Sequence, residues 1–227
     1  MKETIDRGYD WKISFMLSVL LFLVALAIRL LFLNHPGEVI FDEFYYVDAA
    51  RMIILGEGDP NWVHPPVGKY FIGLGILLFG DNSFGWRIMA VIFGSLSIFL
   101  IYYMALEIFQ KISSALIAGF LLLIDPLHFV HTRIAMLDAF LLPFLLLSFY
   151  GMLRHFRYSK TGDQVSMFYS HWLLISALSI GIALSVKWTA TLGILGIIMI
   201  YLLFTLRIRR REFSIRDKIL KAKQICS

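Results

Sequence analysis

Residues 86–106 read WRIMAVIFGSLSIFLIYYMAL, a run in which Arg87 is the only charged side chain. A helix needs about 20 apolar residues to cross the hydrocarbon core of a bilayer, so this stretch has the length and composition of a membrane span. Residues 13–33 form a second run of similar length. Of the 227 residues, 59% are hydrophobic and 16% are charged, more apolar surface than a soluble domain of this size can bury. We therefore predict an integral membrane protein.

Further apolar runs extend this pattern to about six spans, namely 13–33, 86–106, 112–126, 137–153, 171–187 and 189–206. The apolar run 70–79 is too short to cross and is expected to form a helix in the interface. Residues 43–55 have the periodicity of another interfacial helix, in which Asp48 and Arg51 are spaced to form an ion pair. The predicted fold class is all-α, a bundle of about six transmembrane helices with juxtamembrane helices in the loop 34–85.

The basic residues predict an orientation. With the N-terminus in the cytoplasm, the cytoplasmic segments carry 15 of the 21 lysines and arginines, as the positive-inside rule requires. Span 13–33 then acts as an uncleaved anchor, and loop 34–85 faces outside or into the lumen, at the plasma membrane or the endoplasmic reticulum. The predicted division is a transmembrane module, 1–206, whose site lies in that loop, and a basic cytoplasmic tail, 207–227. The tail is expected to contact anionic lipids, not nucleic acid, and the lone Cys226 excludes a disulfide framework.

Asp42 and Glu43 are adjacent acids immediately before the predicted helix 43–55. Neighbouring side chains on a helix point about 100° apart, so the two carboxylates cannot address the same atom. If one is a general base, the other must have a different task, such as orienting a positive group. The alternative is that Asp42 only caps the helix.

His64-Pro65-Pro66 forms a rigid turn that leads to Lys69 at the start of a short apolar helix. Prolines suit the first helical turn because its N–H groups have no intrahelical partner. Free N–H groups together with Lys69 are suited to bind a phosphate. The alternative is a structural turn with a lysine that snorkels to the lipid headgroups.

Three further cations lie near the ends of predicted spans: Arg29, Arg87 and Lys187. A guanidinium at the depth of Arg29 or Arg87 needs a carboxylate or phosphate partner, unless it snorkels to the headgroups. Lys187 lies where two short spans meet, so it must reach the surface or meet an anion.

Arg133 and Asp138 flank the turn between spans 112–126 and 137–153. They are too far apart around a helix to require each other as partners. His128 and His131 lie nearby, but no dense metal-ligand spacing such as HExxH accompanies them, so no metal is expected. The charges gather at one face without a polar path at mid-membrane, which argues against a transporter.

Five blocks carry a family resemblance. In order they are FDEFYYVDAAR (41–51), HPPVGKYFIGLG (64–75), GWRIMAVIFG (85–94), DPLHFVHTRIAMLDAFL (125–141) and SVKWT (185–189). In this order they resemble the protein O-mannosyltransferases, membrane enzymes of the GT-C superfamily that use polyprenyl-phosphate or dolichyl-phosphate mannose. The resemblance covers about residues 29–191.

The resemblance implies that Asp42 is the catalytic base and that Glu43 organises the site or the acceptor. It implies that Arg29 and Arg87 are the functional arginines at the outer ends of the first two spans. It also marks a set of positions with less defined roles in substrate binding, namely His64, Lys69, Arg133, Asp138 and Lys187.

The implied reaction is inverting transfer of mannose to Ser or Thr hydroxyls of a protein acceptor, without a cofactor. A carboxylate removes the hydroxyl proton while cations stabilise the departing lipid phosphate. Members of the family continue with more spans, so we expect a fragment or split enzyme that needs a C-terminal partner chain. The alternatives are a related transferase with a glycolipid or other acceptor, and a non-catalytic truncated paralogue.

Overall fold

The computed structural model describes residues 9–159 and 171–206, and their regular structure is helical, as predicted. Helices α1 to α8 are Trp11–Leu30, Glu43–Ile54, Val67–Phe79, Ser83–Phe109, Ile112–Ile124, Pro126–His131, Leu137–Ser159 and His171–Val186. A 3₁₀ turn, Trp188–Ala190, ends the first compact unit, and the second unit begins at Thr191 with helix α9, residues 191–206. The predictions for the tail 207–227, with Cys226, concern residues outside the described ranges.

Within the described residues, four helical stretches are long and apolar enough to cross a membrane: Trp11–Leu30, Ser83–Phe109, Leu137–Arg157 and Trp188–Leu206. Three apolar helices are shorter: Val67–Phe79, Ile112–Ile124 and His171–Val186. Two of the predicted spans, 112–126 and 171–187, therefore correspond to helices below the usual spanning length. Helix α5 stops early because the carboxylate of Asp125 accepts the His128 N–H at 2.6 Å and Pro126 starts a new helix.

The two short helices predicted in loop 34–85 are both present, as α2 and α3. Tyr46 and Ala50 of α2 belong with Ile72 of α3 to one apolar core, the largest among the described residues. Helix α3 in turn contacts α4, α7 and α8. The loop is therefore joined to the helices beneath it through buried side chains.

Four phenylalanines fill the core below this loop: Phe71 of α3, Phe93 of α4, and Phe140 and Phe144 of α7. Their ring centroids are 4.6 to 6.1 Å apart. Aromatic pairs at this separation contribute about 0.5–1.5 kcal/mol each beyond the area they bury. This cluster holds α3 against α4 and α7 and so fixes the height of the loop above them.

Arg51 of α2 has a different partner from the predicted one. Its guanidinium binds the Asp81 carboxylate with two contacts of 2.9 Å and lies 5.1 Å from the ring of Trp86. The predicted ion pair with Asp48 is therefore wrong. Asp81 is held beside Arg51 because it also accepts the indole N–H of Trp86 at 2.5 Å.

At the other end of α4, Glu107 pairs with Arg154 and Arg157 of α7. The sequence predicts an i, i+4 pair with Lys111, and that prediction is wrong. Helix α4 ends at Phe109, and Gln110 turns the chain with a left-handed φ of 57°. Lys111 therefore leaves the helix and precedes α5, while the buried Glu107 is satisfied from the neighbouring helix.

Candidate active site

Glu43 and Arg87 form a buried ion pair at the base of the loop. The guanidinium donates to the two carboxylate oxygens at 2.7 and 2.8 Å, and both side chains are at most 1% exposed. Glu43 also accepts the backbone N–H groups of Ile40 at 3.0 Å and Ala135 at 2.8 Å. One carboxylate thereby joins α2, α4 and the turn before α7.

Arg87 completes this hub with backbone contacts. It donates to the carbonyl oxygens of Leu33 at 3.2 Å, Pro36 at 2.7 Å and Glu38 at 2.9 Å. A buried guanidinium needs all of its N–H groups satisfied, and this segment supplies the acceptors. The partner predicted for Arg87 was a carboxylate or a phosphate, and the structure identifies it as Glu43. The snorkelling alternative is wrong for Arg87.

Asp42 points away from its neighbour Glu43. It occupies the N-cap position of α2, but its side chain makes no capping hydrogen bond. Within the described residues, no hydrogen bond or ion pair engages its half-buried carboxylate. The interpretation of Asp42 as only a helix cap is therefore wrong. Glu43 is therefore a buried structural carboxylate, and Asp42 has no protein partner among the described residues. Their side chains diverge because adjacent positions on a helix point about 100° apart.

Tyr46 lies one turn after Asp42 on α2 and faces the same region. Burial, with the nearby carboxylates of Asp42 and Asp138, raises the pKa of Tyr46 to about 12. Its phenol therefore stays protonated and can donate a hydrogen bond at neutral pH. The sequence analysis did not select Tyr46, although its i+4 spacing from Asp42 was a usable signal.

His64 lies beside Tyr46, with ring centroids 6.3 Å apart. Burial, together with the positive charges of Lys187 and Lys69, lowers the pKa of His64, while Asp138 and Asp42 act in the opposite direction. The imidazole is therefore neutral at pH 7. Its Nδ1 is buried and has no hydrogen-bond partner within the described residues.

Lys69 holds the turn that carries His64. Its buried amine donates to the carbonyl of His64 at 2.9 Å and also binds the Asn61 carbonyl and the Asp59 carboxylate. The snorkelling alternative for Lys69 is wrong, because the side chain is 0% exposed. Three oxygens already occupy its three N–H donors. Lys69 thus positions the segment before α3, and the sequence analysis missed its partner Asp59.

Asp138 and Lys187 form a second ion pair beside this group. The amine lies 2.8 and 3.0 Å from the two carboxylate oxygens, and the side chains are 35% and 18% exposed for Asp138 and Lys187. Lys187 follows α8, and the next residue, Trp188, donates its indole N–H to the Val63 carbonyl at 3.0 Å. Because Trp188 is bonded to Val63, next to His64, and His64 lies beside Tyr46 of α2, Lys187 and Asp42 lie at the same end of the helices.

Arg29 and Arg133 form a separate polar group. Arg29 is fully buried and donates to the hydroxyl of Thr132 at 2.8 Å, the carbonyl of Ala25 at 3.3 Å and the Nδ1 of His128 at 3.0 Å. Among the described residues no carboxylate pairs with Arg29, and the snorkelling alternative is wrong because the side chain is 0% exposed. Neutral acceptors on α1 and α6 satisfy it instead, which avoids burying a second charge.

The surroundings of Arg29 explain how neutral groups suffice. Its guanidinium lies 5.3 Å from the ring of Phe129, and Arg133 lies 5.4 Å from the same ring and donates to the Leu31 carbonyl. Burial and the charge of Arg29 lower the pKa of His128 to about 4, so its ring accepts a hydrogen bond without competing for charge. Within the described residues, these contacts tie α1 to α6 and do not reach Asp42.

We expect the variant Gly94→Val to disturb this second group. A side chain at Gly94 would collide with Thr132, the residue that accepts from Arg29. Overpacking of this kind lowers the free energy of unfolding by about 1–3 kcal/mol. Denaturation in mixed micelles measures the loss. Gly181→Ala on α8 is the control, because no atom lies within 4 Å of its added carbon; equal losses in both variants would contradict the prediction.

The groups of the site differ in charge: the Asp42 carboxylate has no protein partner within the described residues, and Tyr46 and His64 beside it are neutral. The Asp138–Lys187 pair borders them, and the Glu43–Arg87 pair and Lys69 support the backbone beneath. No group of three or more His, Cys, Asp or Glu residues within the described ranges is arranged to hold a metal ion. The arrangement suits proton removal from a hydroxyl close to a cation that can contact an anionic leaving group.

Comparison with known proteins identifies the family of the chain. The family model described as dolichyl-phosphate-mannose-protein mannosyltransferase matches residues 19–226. A polyprenol-phosphate-mannose–protein mannosyltransferase of Mycolicibacterium smegmatis is 28% identical over 234 residues, which cover 93% of this chain and 44% of that protein. The protein of the same name from Mycobacterium tuberculosis is 34% identical over 151 residues, which cover 64% of this chain and 29% of that protein. Protein O-mannosyl-transferase 1 of Mus musculus is 28% identical over 73% of this chain and 24% of its own length.

A solved structure supports the fold. The apo crystal structure of ArnT from Cupriavidus metallidurans aligns with a TM-score of 0.59 at 20% identity, over 85% of this chain and 42% of that one. The all-α membrane-bundle fold class predicted from the sequence is thereby confirmed, while the number of spans is not settled by this likeness. The chain spans less than half the length of these relatives. Because the family model matches most of the 227 residues, the chain belongs to the dolichyl-phosphate-mannose-protein mannosyltransferase family.

Proposed function

We propose that Asp42 is the general base in the transfer of mannose from a polyprenyl-phosphate donor to the hydroxyl of a protein Ser or Thr. The observation that carries the proposal is the half-buried carboxylate of Asp42, which no described residue engages, near the neutral side chains of Tyr46 and His64. The printed names of the relatives from Mycolicibacterium smegmatis and Mycobacterium tuberculosis support the donor and the acceptor class. The chain spans less than half the length of these relatives, and the proposal assigns to it the acidic site of the reaction.

The proposed step is a single displacement. Asp42 takes the proton of the acceptor hydroxyl as its oxygen attacks the anomeric carbon of mannose. The bond from that carbon to the phosphate oxygen breaks, and the electron pair leaves with the lipid phosphate. One displacement inverts the anomeric configuration, unlike the two displacements of a retaining glycosidase. The atoms and electrons of this step balance without a metal, an oxidant or a cofactor.

Lys187 lies in the same region as Asp42, since both charges act on His64, and its side chain is not fully buried. Its amine pairs with Asp138, and 18% of its side chain is exposed. The departing phosphate gains negative charge, and an ammonium group stabilises it most in a site that excludes water. We assign Lys187 to the donor phosphate and Asp138 to the orientation of Lys187.

The proposed site faces outside or into the lumen. The excess of basic residues on the segments assigned to the cytoplasm supports this orientation. A donor with its sugar on the membrane surface and a polypeptide acceptor in the aqueous phase can then meet above the helices. Cysteine labelling at an exposed loop position such as Trp62 tests the orientation, since reagent added to sealed vesicles should reach it only from the non-cytoplasmic side.

Transfer of labelled mannose tests the reaction itself. Membranes that contain the chain are supplied with polyprenyl-phosphate mannose and a Ser/Thr peptide, alone and with a candidate C-terminal partner chain. We expect labelled mannose on the peptide, joined through an α-linkage if the mannose of the donor is β-linked. Label recovered only on lipid would contradict the assigned acceptor, and retained configuration would contradict the single displacement.

We expect Lys187→Met to lower kcat/KM for the donor by about 10- to 100-fold, because the developing phosphate charge loses its cation. Lys187→Arg should keep part of the activity, since it keeps the charge but changes the geometry of the donors. Initial rates at varied donor concentration measure both variants. Lys12→Met, an exposed lysine on α1, is the control for loss of positive charge, and an equal loss there would contradict the assignment.

A further inference from the structure

A surface groove runs beside the site, between α2 and the segment Pro60–Val63. Its wall on α2 consists of Phe44, Tyr45 and Asp48, and its volume is about 250 Å³. The aromatic side chains are unusually open: Phe44 is 65% exposed, Tyr45 56% and Trp62, on the opposite wall, 84%. Large exposed aromatic side chains grouped in one groove are typical of a surface that binds a partner.

The segment opposite α2 is held in place. Lys69 binds carbonyl oxygens of Asn61 and His64, and Trp188 donates to the carbonyl of Val63. The open face of Trp62 is therefore presented by a backbone that is fixed from below. A fixed aromatic wall loses little conformational freedom when a ligand binds.

The charge around the groove is acidic, although the chain as a whole has a net charge of +5. Loop 34–85 contains seven acidic residues and two basic ones, Arg51 and Lys69. Both basic residues are already paired with acids, as is Glu43. Within the described residues, this leaves four acids without an ionic partner, Glu38, Asp42, Asp48 and Glu57. Such a surface repels anionic lipid headgroups and attracts a basic polypeptide.

The spacing along α2 sets the register of such a partner. Asp48 follows Asp42 by six residues, which places it about 9 Å along the helix axis and about 120° around it. An extended polypeptide advances about 3.3 Å per residue. Three such residues cover about 10 Å, and the long side chain of a Lys or Arg covers the remaining distance around the helix. A chain whose hydroxyl is at Asp42 can therefore bring a basic side chain about three residues away to Asp48.

We propose that this groove docks the acceptor polypeptide, with Asp48 selecting a Lys or Arg about three residues from the modified Ser or Thr. The aromatic walls of Phe44, Tyr45 and Trp62 pack against apolar or proline residues in between. The inference rests on the proposed function for the choice of acceptor, but the docking step requires no chemistry. It can therefore be measured without the lipid donor.

Peptide binding to the chain in nanodiscs of phosphatidylcholine is the test. Three labelled peptides share a central Thr in a Pro/Ala sequence and carry Lys, Gln or Glu three residues away, on either side of the Thr. Fluorescence anisotropy should give the order Lys, Gln, Glu, with about a three- to fivefold difference in Kd between neighbours in that order, the size of an exposed charge contact. Trp62→Ala should weaken all three by about fivefold or more.

Reversing the charge at Asp48 tests whether this residue selects the basic side chain of the peptide. Asp48→Lys should invert the order, so that the Glu peptide binds best and the Lys peptide worst. Glu57→Lys changes the charge of the same loop by the same amount but lies outside the groove lining, and it should preserve the original order. Size-exclusion profiles of the variants verify the fold, which both exposed positions are expected to tolerate.

Three results would overturn the proposal: no peptide binding, binding that ignores the peptide charge, or an inversion by Glu57→Lys equal to that by Asp48→Lys. Quenching of Trp62 fluorescence by brominated lipid in the nanodisc, without any effect of added peptide, would also overturn it. That result would show that the groove contacts lipid headgroups instead of a polypeptide. Peptide discrimination together with absent mannose transfer would leave the docking site standing and count against the proposed function alone.

Discussion

Asp42→Asn is expected to reduce mannose transfer by about 10²- to 10⁴-fold, the usual contribution of a general base. The amide keeps the size of the carboxylate but cannot accept the hydroxyl proton. Because no described residue depends on the Asp42 side chain for a hydrogen bond or ion pair, membrane abundance and thermal unfolding should hardly change. Initial rates of transfer to a Thr peptide, normalised to the amount of protein, measure the effect.

Glu38→Gln is the matched control for Asp42→Asn. Glu38 is an exposed acid in the same loop, and its side chain has no ionic partner within the described residues. Its rate should stay within about twofold of the unsubstituted chain, since surface substitutions away from a site have small effects. A nearly active Asp42→Asn, or equal losses in both variants, would show that another group removes the proton.

Arg87→Ala should lower the free energy of unfolding by about 3–5 kcal/mol, because it leaves the buried Glu43 carboxylate without a counter-charge. It also removes the donor for carbonyl oxygens of Leu33, Pro36 and Glu38. The segment that leads into α2 would then lose its anchor. Activity should also fall, because the variant is less stable. The loss of unfolding free energy must therefore be measured by denaturation in mixed micelles, not inferred from rates.

Arg51→Ala is the control for this prediction, since its ion pair with Asp81 is 36% and 48% exposed. An exposed pair contributes about 0–1 kcal/mol. The double variant Glu43→Gln with Arg87→Met should recover part of the stability, because it removes both buried charges. Similar losses for Arg51→Ala and Arg87→Ala, or no recovery in the double variant, would contradict the buried-pair account.

The two ends of α4 show where local reasoning was incomplete. Glu107 was assigned to Lys111 on helical spacing, but Gln110 ends the helix before that partner is reached. Arg51 was assigned to Asp48 by the same logic, yet it binds Asp81, which is 30 residues away. Spacing rules apply only within one continuous helix, and an exposed pair contributes too little energy to override a better bidentate partner.

The free state of Asp42 was also beyond local reasoning. Adjacent helical positions imply that Asp42 and Glu43 diverge, but not which one is buried. That choice depends on Arg87 and on the backbone of Ala135, which are 44 and 92 residues from Glu43. Tyr46 was overlooked for a related reason, since its relation to His64 exists only after α2 and α3 pack together.

The sequence by itself determined the membrane character, the helical class, the two short helices of the loop and the positions of the acids and cations. These follow from composition and from periodicity along single segments, because apolar length and helical repeat are local properties. Only the tertiary structure decided the partners: Glu43 for Arg87, Asp59 for Lys69, and neutral groups for Arg29. A buried charge must be satisfied by whatever group another helix brings to it, and that group is chosen when the helices pack.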